Sequence, residues 1–528
     1  MLAAAYMPDS LDEPFDFSAN ETLYPGIDHH DDVTYITTLA HRKVAVNTGR
    51  GATKRTHVET QDIVAVVAST GETFEYETEA LDRRGFRPAP AIMVPDERRW
   101  SREAIEAFCA KPSEDINPWK LFLELRSIYD TYVEFTNPAY LDLMPLWIMA
   151  GYVFRAFHSF PYVHFNGTKG TGKSQNLAII KALGLNATYA GVMTSSTLFR
   201  TTAGKPGVLC LDEAETFEGE RGNDLLQILN MGYKAEGNVP RSTKPNENSD
   251  YATKYFNVYG PKAIASIAPL PEVTQNRALV VTMRQAYRDG GIPSFASSDT
   301  AWQTTRDHLY IWAMHHYGPI KALNHSWTYD DKRIKRAPRL TNRAWEIAGP
   351  LVITAEYIGG ADLSDIIIAF LQDYYIRDAA KADATDRHRV LLTILPTIIR
   401  ANGAWQTSYY PLSTIRDAMK VALEDDQRER FTSRTCSRLL TTIGFTEMKQ
   451  RQRQGTWISI PEDELRIQFI SRKVNPIEED TEWLAGKETY QHENPPEQAT
   501  FTLSPPVPPE QAARTREAIW ERLQESED

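Results

Sequence analysis

The sequence predicts an α/β fold, in which a parallel sheet has helices on both faces and one of its strands is followed by a phosphate-binding loop. Three observations predict it: a glycine-rich segment between a strand-like run and an apolar helix, an apolar run that ends on two carboxylates, and a further strand with a polar tip. A helical lid, an N-terminal β/helical extension and a C-terminal winged helix complete the predicted architecture. The 528 residues suffice for two or three domains with a large core.

The glycine-rich segment follows the run 162–166 and carries an eight-residue phosphate-loop pattern. Its glycines let the backbone curl so that successive N–H groups face a phosphate, and a helix starting at about 173 directs its positive end at the same anion. Lys173 is expected to reach the β- and γ-phosphate oxygens, and Ser174 to offer its hydroxyl to Mg²⁺. The pattern predicts a P-loop NTPase core whose cofactors are ATP and Mg²⁺, held by Gly167, Thr168, Lys169, Gly170, Thr171, Gly172, Lys173 and Ser174.

An apolar run over 208–211 ends on Asp212 and Glu213, 38 residues after Ser174. A buried parallel strand is covered on both faces and therefore reads as continuously apolar. Its carboxyl end lies in the crevice where open α/β sheets bind ligands. We expect Asp212 to hold Mg²⁺ and Glu213 to polarise the water that attacks the γ-phosphate, which favours hydrolysis over phosphoryl transfer. The alternative is an ordinary solvated strand end.

A third run, 259–266, predicts a strand whose tip, Ser266, lies near the γ-phosphate as a sensor. After a Pro-Leu-Pro loop, Arg277 opens another apolar run, 278–281. An arginine at this point can reach the nucleotide of a neighbouring subunit and neutralise charge in the transition state. A strand-edge arginine that binds a local carboxylate is the alternative, and the sequence leaves both open.

Taken in this order, the segments from about 137 to 360 resemble the ATPase domain of replication proteins carried by phages, plasmids and integrated elements. Those proteins are AAA+-type or superfamily-3-helicase-like motors. The resemblance rests on the helical stretch 143–160, the phosphate loop, the Asp212-Glu213 strand, and the segments 232–241, 256–277 and 340–358. It implies an ATP-driven homo-oligomeric ring that moves along or unwinds DNA.

The formal net charge of −12 argues at first against a nucleic-acid partner, but the acids are concentrated at the two ends of the chain. Residues 1–32 carry eight acids and no Lys or Arg, and residues 474–528 carry a net charge of −9. This leaves about +5 for residues 33–473, so the part expected to fold is mildly basic.

Three cysteines, Cys109, Cys210 and Cys436, lie too far apart for a disulfide framework or a zinc pattern, which suits a reducing, cytoplasmic setting. The N-terminus lacks the basic and apolar regions of a signal peptide. The most apolar stretch, 141–160, is interrupted by a proline, an arginine and a histidine. It predicts a core helix, and no association with a membrane is expected.

Composition and periodicity divide the chain into seven segments. The predicted segments are a disordered acidic tail over 1–32, a small β-rich module over 33–97, a helical lead-in over 98–160, the ATPase core over 161–285, a helical lid over 286–385, a winged helix over 386–465 and an acidic Pro-rich tail over 466–528. From the lid, Arg343 is expected to contact a nucleotide phosphate. Solvation of a helix N-terminus is the alternative for this residue.

The predicted winged helix combines three helices, the third capped by Thr432, with a basic hairpin. Residues spaced four apart on the third helix and two apart on the hairpin present cations from two elements to DNA phosphates. The expected contacts are Arg434, Arg438, Lys449, Arg451 and Arg453. The alternative is a protein-binding winged helix with a solvated basic face.

A polar excursion over 232–254 is the second candidate for DNA contact. Ring motors place aromatic and basic side chains in the pore, where they stack on bases and hold phosphates. Tyr233, Lys234 and Arg241 are the candidates here, and a plain surface hairpin is the alternative.

These features together predict a Mg-ATP-hydrolysing motor, a DNA helicase or translocase that acts on single- or double-stranded DNA during replication of a mobile element. Two alternatives remain open. One is a DNA-binding regulatory switch, whose slow ATPase gates assembly, and the other is a protein-remodelling ATPase.

Overall fold

The computed structural model divides the chain into two compact units, unit 1 up to Gln372 and unit 2 from Asp373. Each unit has hydrophobic clusters of its own. The described residues are 20–48, 55–95, 97–190, 195–212, 219–243, 252–286, 288, 291–296, 301–329, 332–385, 387–401, 409–423, 428, 431–442, 445, 448–451, 455–461 and 465.

Unit 1 begins with a β-rich module. Its elements are β1 (Glu21–Leu23), β2 (Ile27–His30), β3 (Val33–Thr48), β4 (Arg55–Ala68), β5 (Thr73–Glu75), the short helix α1 (Thr78–Asp82) and β6 (Phe86–Pro88). Strands β2, β3, β4 and β5 form an antiparallel sheet in that order, and β1 lies parallel to β6.

The module starts earlier in the chain than composition predicts, because β1 and β2 lie within the segment expected to be a disordered tail. Leu23 and Ile27 are fully buried, and Asp28 is almost completely buried. The Asp28 carboxylate accepts a hydrogen bond from the Tyr24 amide at 2.7 Å. Leu23 and Ile27 are buried by residues that lie far away in the sequence. The local composition of 1–32 does not reveal those contacts, so it does not predict that this stretch is ordered.

Helices connect the module to the central sheet: α2 (Arg102–Ala110), α3 (Pro118–Tyr132), α4 (Tyr140–Tyr152) and a 3₁₀ turn (Phe154–Ala156). Helix α4 is buried over nearly its whole length, and the Trp147 indole donates to the Pro161 carbonyl at 2.9 Å, just before the next strand. This arrangement agrees with the core helix predicted for 141–160. Over the described residues, no helix has both the length and the apolar character needed to cross a bilayer.

The central sheet has five parallel strands. In chain order its region contains β7 (Tyr162–Asn166), β8 (Thr188–Tyr189), β9 (Leu209–Leu211), β10 (Asn238–Thr243), β11 (Ala252–Asn257), β12 (Lys262–Ser266) and β13 (Ala278–Thr282). Strands β10 and β11 form a separate antiparallel hairpin. The others are ordered β13-β7-β12-β9-β8, so β12 is inserted between the strand before the glycine-rich loop and the strand before Asp212.

Both faces of this sheet are buried. Helices α6 (Ser195–Gly204) and α7 (Gly219–Met231) share a hydrophobic cluster with Tyr162 and Ile264. Their chain neighbours Val163 and Ala263 alternate to the opposite face and are also buried, where helix α5 (Lys173–Leu183) packs against β7, β9 and β12. A parallel sheet needs this double cover, which confirms the predicted mixed α/β core.

Helices α8 (Glu272–Gln275), α9 (Ala301–Tyr329), α10 (Lys332–Arg336) and α11 (Arg343–Thr385) follow in the chain. Gly359 and Gly360 break α11, and Gly360 has a φ of 67°, which disfavours other residues. The indole rings of Trp327 and Trp345 stack with their centroids 5.3 Å apart, which joins α9 to the start of α11.

Unit 2 contains α12 (Arg387–Ala401), β14 (Tyr409–Pro411), α13 (Leu412–Ala422), α14 (Ser433–Thr442), β15 (Met448–Arg451) and β16 (Gly455–Ser459). The three strands form an antiparallel sheet in the order β14-β16-β15. Leu395, Ile415, Leu440 and Ile458 are among the residues of its shared core. Thr432 caps α14 as predicted, its hydroxyl accepting from the Thr435 amide at 3.2 Å.

Candidate functional site

Polar side chains end or directly follow every strand of the central sheet. They are Asn166, Tyr189, Asp212, Ser266 and Thr282, on β7, β8, β9, β12 and β13 in turn. Because all five strands are parallel, these residues lie along one edge of the sheet. This carboxyl edge is where open α/β sheets bind ligands.

The glycine-rich loop leaves this edge and turns sharply into α5. Gly170 and Gly172 have φ values of 80° and 82°, in the left-handed region that favours glycine. A Cβ at Gly167 would lie 2.5 Å from the Met283 carbonyl oxygen, so only glycine fits beneath the end of β13. Thr171 Oγ1 donates to the Thr168 carbonyl at 2.8 Å and closes the loop from inside. The backbone therefore forms the cradle that the phosphate-loop pattern predicts.

Lys173 and Ser174 are the first two residues of α5. Lys173 Nζ donates to the carbonyl oxygens of Gly167 and Thr168 at 2.6 and 2.7 Å, so its ammonium lies across the mouth of the loop. Ser174 Oγ lies 3.2 Å from Asp212 Oδ2, and the same carboxylate oxygen accepts from the Tyr189 hydroxyl at 2.6 Å. A hydroxyl and a carboxylate at this separation can share one hard cation.

These residues fit a nucleotide with Mg²⁺. The donor set is one hydroxyl and one carboxylate, with no complete protein cage, since no group of three or more His, Cys, Asp or Glu residues in the described part of the chain could hold a metal ion. Mg²⁺ suits such a set because it usually keeps several waters and takes other oxygens from substrate phosphates. Thr168, Lys169 and Gly170 are exposed at the loop surface.

The predicted water-polarising residue, Glu213, lies outside the described residues, as does Glu215. The structure places only its neighbour Asp212, directly after β9. The assignment of Glu213 therefore stays a prediction, supported by its position two residues beyond the end of β9.

Ser266 lies at the carboxyl edge but is buried. Its Oγ donates to the Ala268 carbonyl at 2.5 Å and lies 2.7 Å from His164 Nε2, so the hydroxyl is bound within the chain. The more accessible polar group on the adjacent strand is Asn166, whose amide nitrogen lies 3.0 Å from the Ile267 carbonyl. A sensor role for Ser266 stays a prediction, since in this conformation both its hydroxyl and the Asn166 amide nitrogen are bound to carbonyls of residues 266–268.

Arg277 lies at the other edge of the sheet. Its carbonyl accepts from the Tyr162 amide at 3.0 Å, at the start of β7, whereas the phosphate loop leaves the end of that strand. The four residues between these points span about 13 Å. Arg277 therefore lies far from the phosphate loop of its own chain, as an arginine that serves a neighbouring subunit would.

The Arg277 guanidinium donates to the Val273 carbonyl and lies against an aromatic ring. The Tyr233 ring lies 4.9 Å from the Arg277 guanidinium and 4.6 Å from that of Arg343. Glu346 binds Lys234 at 2.8 Å and Arg343 at 2.5 Å. We call Tyr233, Lys234, Arg277, Arg343 and Glu346 the arginine cluster. It brings together residues that the sequence assigns to three separate roles.

The cluster changes two sequence-based expectations. Tyr233 is only 6% exposed, so its ring is packed inside the protein and not displayed for stacking on bases. Lys234 carries an ion pair with Glu346, whose hydrogen bond raises the lysine pKa. Arg343 lies beside Arg277 and therefore at the edge away from its own phosphate loop. The physical reason is packing, since a helix from the lid region closes over the excursion after α7.

Arg241 also differs from an exposed pore residue. It lies on the β10–β11 hairpin, binds Asp224 on α7, and places its guanidinium 3.9 Å from the Phe199 ring. Strands β10 and β11 form an antiparallel hairpin, and residues 244–251 lie outside the described part, so DNA contact by this excursion stays a prediction.

In unit 2, the predicted DNA contacts occupy two elements. Arg434 and Arg438 are exposed on α14. Lys449 and Arg451 are alternate residues of β15, at register positions opposite Trp457 and Gly455. Arg453 lies outside the described residues.

No protein-family model matches this chain, and no curated protein matches its sequence. Among solved structures, it is similar to SCCmec type IV Cch, an active helicase, with 11% identity and a TM-score of 0.34 over 65% of this chain and 69% of that one. A full-length MCM homolog from Methanopyrus kandleri gives 11% identity and a TM-score of 0.32, over 67% and 81% of the two chains. The C-terminal region of NrS-1 gives 11% identity and a TM-score of 0.30, over 75% of this chain and 93% of that one. Such weak similarity assigns no activity, so function is inferred from this chain's own residues.

Proposed function

We propose that this protein is a Mg-ATP-hydrolysing motor with an AAA+-like core, which acts on DNA as a helicase or translocase. The observation that carries the proposal is the carboxyl edge of the sheet, where the phosphate loop and Asp212 meet at a Ser174–Asp212 distance of 3.2 Å. The strand order, with β12 between β7 and β9, supports an AAA+-type core because it places a polar strand tip between loop and carboxylate.

Each residue of this edge has a chemical task. The loop amides and the α5 N-terminus bind phosphate oxygens, and Lys173 exchanges its two loop carbonyls for β- and γ-phosphate oxygens. Ser174 and Asp212 would hold Mg²⁺, whose charge would offset that of the phosphates. Tyr189 fixes the Asp212 carboxylate through its hydroxyl at 2.6 Å. Glu213 orients and deprotonates the attacking water.

The arginine cluster supports assembly into a ring. Arg277 and Arg343 lie at the edge of the sheet opposite the phosphate loop, so a nucleotide within their reach belongs to another subunit. Two guanidinium groups there would stabilise charge on the transferred γ-phosphoryl group. Hydrolysis would then require at least two subunits, and a closed ring satisfies every interface.

Unit 2 supplies the proposed link to DNA. Its order of three helices with a strand after the first and a terminal hairpin supports the predicted winged helix. Arg434 and Arg438 are exposed four residues apart on its third helix, so they lie on one face. Replication of a phage, plasmid or integrated element is the proposed setting.

ATPase rates with and without single-stranded and duplex DNA, measured beside strand displacement, test the proposal. We expect DNA to stimulate hydrolysis, Lys173→Ala to lose nucleotide binding, and Glu213→Gln to bind ATP but hydrolyse it orders of magnitude more slowly. Arg277→Ala should bind ATP and hydrolyse it poorly, and mixing it with Lys173→Ala subunits should restore part of the activity. If the wild-type protein sediments as a monomer while it hydrolyses ATP at its full rate, an active site shared between two subunits is excluded.

A DNA-binding regulatory switch is the second candidate. Exposed cations on unit 2 favour DNA binding in either case, while motion along DNA is specific to the motor. Turnover that DNA leaves unchanged, without strand displacement, would support the switch. Stimulation by a protein partner alone would support a protein-remodelling ATPase.

A further inference from the structure

The N-terminal module carries a long two-stranded ribbon, which belongs to a different sheet from the phosphate loop and takes no part in the proposed ATP site. Strands β3 and β4 pair without interruption from Tyr35 and Ala68 to Thr48 and Arg55. Near the module the ribbon is part of the sheet, and Ile36 and Val66 are fully buried. From the His41–Asp62 pair outward, none of the described residues is buried on either face. The outer half of the ribbon therefore leaves the body of the module.

This outer half, which we call the ribbon arm, comprises residues 41–48 and 55–62. Its eight residue pairs extend over about 24 Å at the usual rise per residue. A two-stranded hairpin alone is marginally stable in water. Val58 is 66% exposed, so this apolar side chain contributes little to the core. An arm of this length with two open faces is suited to contact another molecule.

Charge indicates which molecule. The arm contains Arg42, Lys43 and Arg55 against two acids, Glu59 and Asp62. Arg42 is itself paired with Glu75 on β5, 2.7 Å away. Each acid already contacts an imidazole of the arm: Glu59 lies 2.6 Å from His57, and Asp62 lies 2.7 Å from His41. Among the described residues, Lys43 has no carboxylate partner. The connection between the strands adds Arg50 and Lys54 and no acid.

We propose that the ribbon arm contacts the phosphate backbone of duplex DNA. The major groove of B-DNA admits a two-stranded β-ribbon. Phosphate and sugar oxygens are bound by Arg and Lys together with Thr, Asn and Gln, the residue types that fill the arm. A second copy of this chain fits less well, because stable subunit interfaces are largely apolar and both faces of the arm are mainly polar. The proposal deepens the proposed function, since it adds a DNA contact outside unit 2.

The test uses the full chain and a labelled random-sequence duplex, with affinity measured by fluorescence anisotropy over a range of salt. In the truncated variant, Asn-Gly replaces residues 44–59 and closes the strands after Lys43 with a two-residue turn. It removes three cations and no buried side chain among the described residues. We expect the log–log salt slope to fall by up to about 2.7 and the affinity at moderate salt to fall at least about tenfold.

Two substituted chains accompany the truncation. Lys43→Ala with Arg55→Ala should flatten the slope by about two units. The matched control, Lys43→Arg with Arg55→Lys, retains both charges and should bind as wild type. ATPase without DNA should be unchanged in all three, because the arm belongs to a different sheet from the phosphate loop.

Wild-type affinity and salt slope in the truncated variant would overturn the ribbon-arm proposal and leave the ATPase assignment intact. Unchanged DNA affinity with an altered sedimentation coefficient would likewise overturn it and assign the arm to subunit contact. Failure of the proposed function has a different signature, since the wild-type chain would then bind DNA through the arm without hydrolysing ATP.

Discussion

Replacing Tyr233 tests whether the arginine cluster positions catalytic arginines. Its ring contacts Arg277 at 4.9 Å and Arg343 at 4.6 Å, and only 6% of the residue is exposed. A cation over an aromatic ring contributes about 0.5–1 kcal/mol when exposed and about 2 kcal/mol when desolvated. Tyr233→Leu removes both contacts, so we take about 2 kcal/mol in total as the loss. This corresponds to an about 30-fold drop in the equilibrium constant for holding both guanidinium groups in place, and to a drop of up to about 30-fold in the fraction of molecules that do so.

The assay is steady-state ATP hydrolysis at saturating ATP, with nucleotide affinity and thermal stability measured on the same samples. We expect Tyr233→Leu to lower kcat by up to about 30-fold with nucleotide affinity unchanged, since the cluster lies away from the phosphate loop of its own chain. Tyr233→Phe keeps the ring and should retain kcat, which separates ring contacts from a pore role for the hydroxyl. Wild-type kcat in a folded Tyr233→Leu variant would refute a positioning role. A selective loss of DNA affinity would instead restore the pore interpretation.

Three further predictions concern the loop, the core and unit 2. Gly167→Ala should weaken ATP binding at least about tenfold in equilibrium titrations, because its Cβ would lie 2.5 Å from a backbone oxygen. Burial lowers the pKa of Lys262 from 10.5 to about 7. Between pH 7 and pH 10.5 the Lys262 amine therefore binds a proton in the unfolded chain more readily than in the folded protein. In urea unfolding, the free energy of unfolding of wild type should therefore rise relative to Lys262→Met by up to about 2.7 kcal/mol from pH 7 to pH 9, and a constant difference would contradict this. Replacing the three cations of the predicted basic hairpin in unit 2 with alanine should flatten the log–log salt slope of DNA affinity by about two units. These cations are Lys449, Arg451 and Arg453. An unchanged slope would indicate a protein-binding domain.

Much of the candidate site could be predicted because its signals are local. The spacing of glycines predicted the loop that Gly170 and Gly172 form with positive φ, since only glycine adopts such angles freely. The apolar run before Asp212 predicted a buried strand, and parallel strands bring their carboxyl ends to one edge. Tyr189 was missed, yet a signal existed: it ends a short strand of the same sheet and could have been found as another polar tip.

Other residues carried no readable signal. Asn166 and His164 belong to the phosphate-loop strand, and their contacts with residues 266–268 depend on β12 being inserted beside β7. Glu346 is a helix residue of ordinary context, and only folding brings it to Lys234, 112 positions earlier. Pairings over such separations are set by topology, which no local pattern encodes.

The sequence by itself determined the phosphate loop, the carboxylate strand, the α/β class of the core and the cation-rich pattern of Arg434, Arg438, Lys449, Arg451 and Arg453 in unit 2. These properties depend on backbone conformations and periodicities that neighbouring residues impose. Only the tertiary structure decided that Tyr233 is buried with two guanidinium groups within 5 Å of its ring, that Arg343 lies with Arg277 at the far edge of the sheet, and that β3 and β4 extend beyond their module. Burial and charge pairing are properties of the folded neighbourhood, because the free energy of a side chain depends on what distant segments place around it.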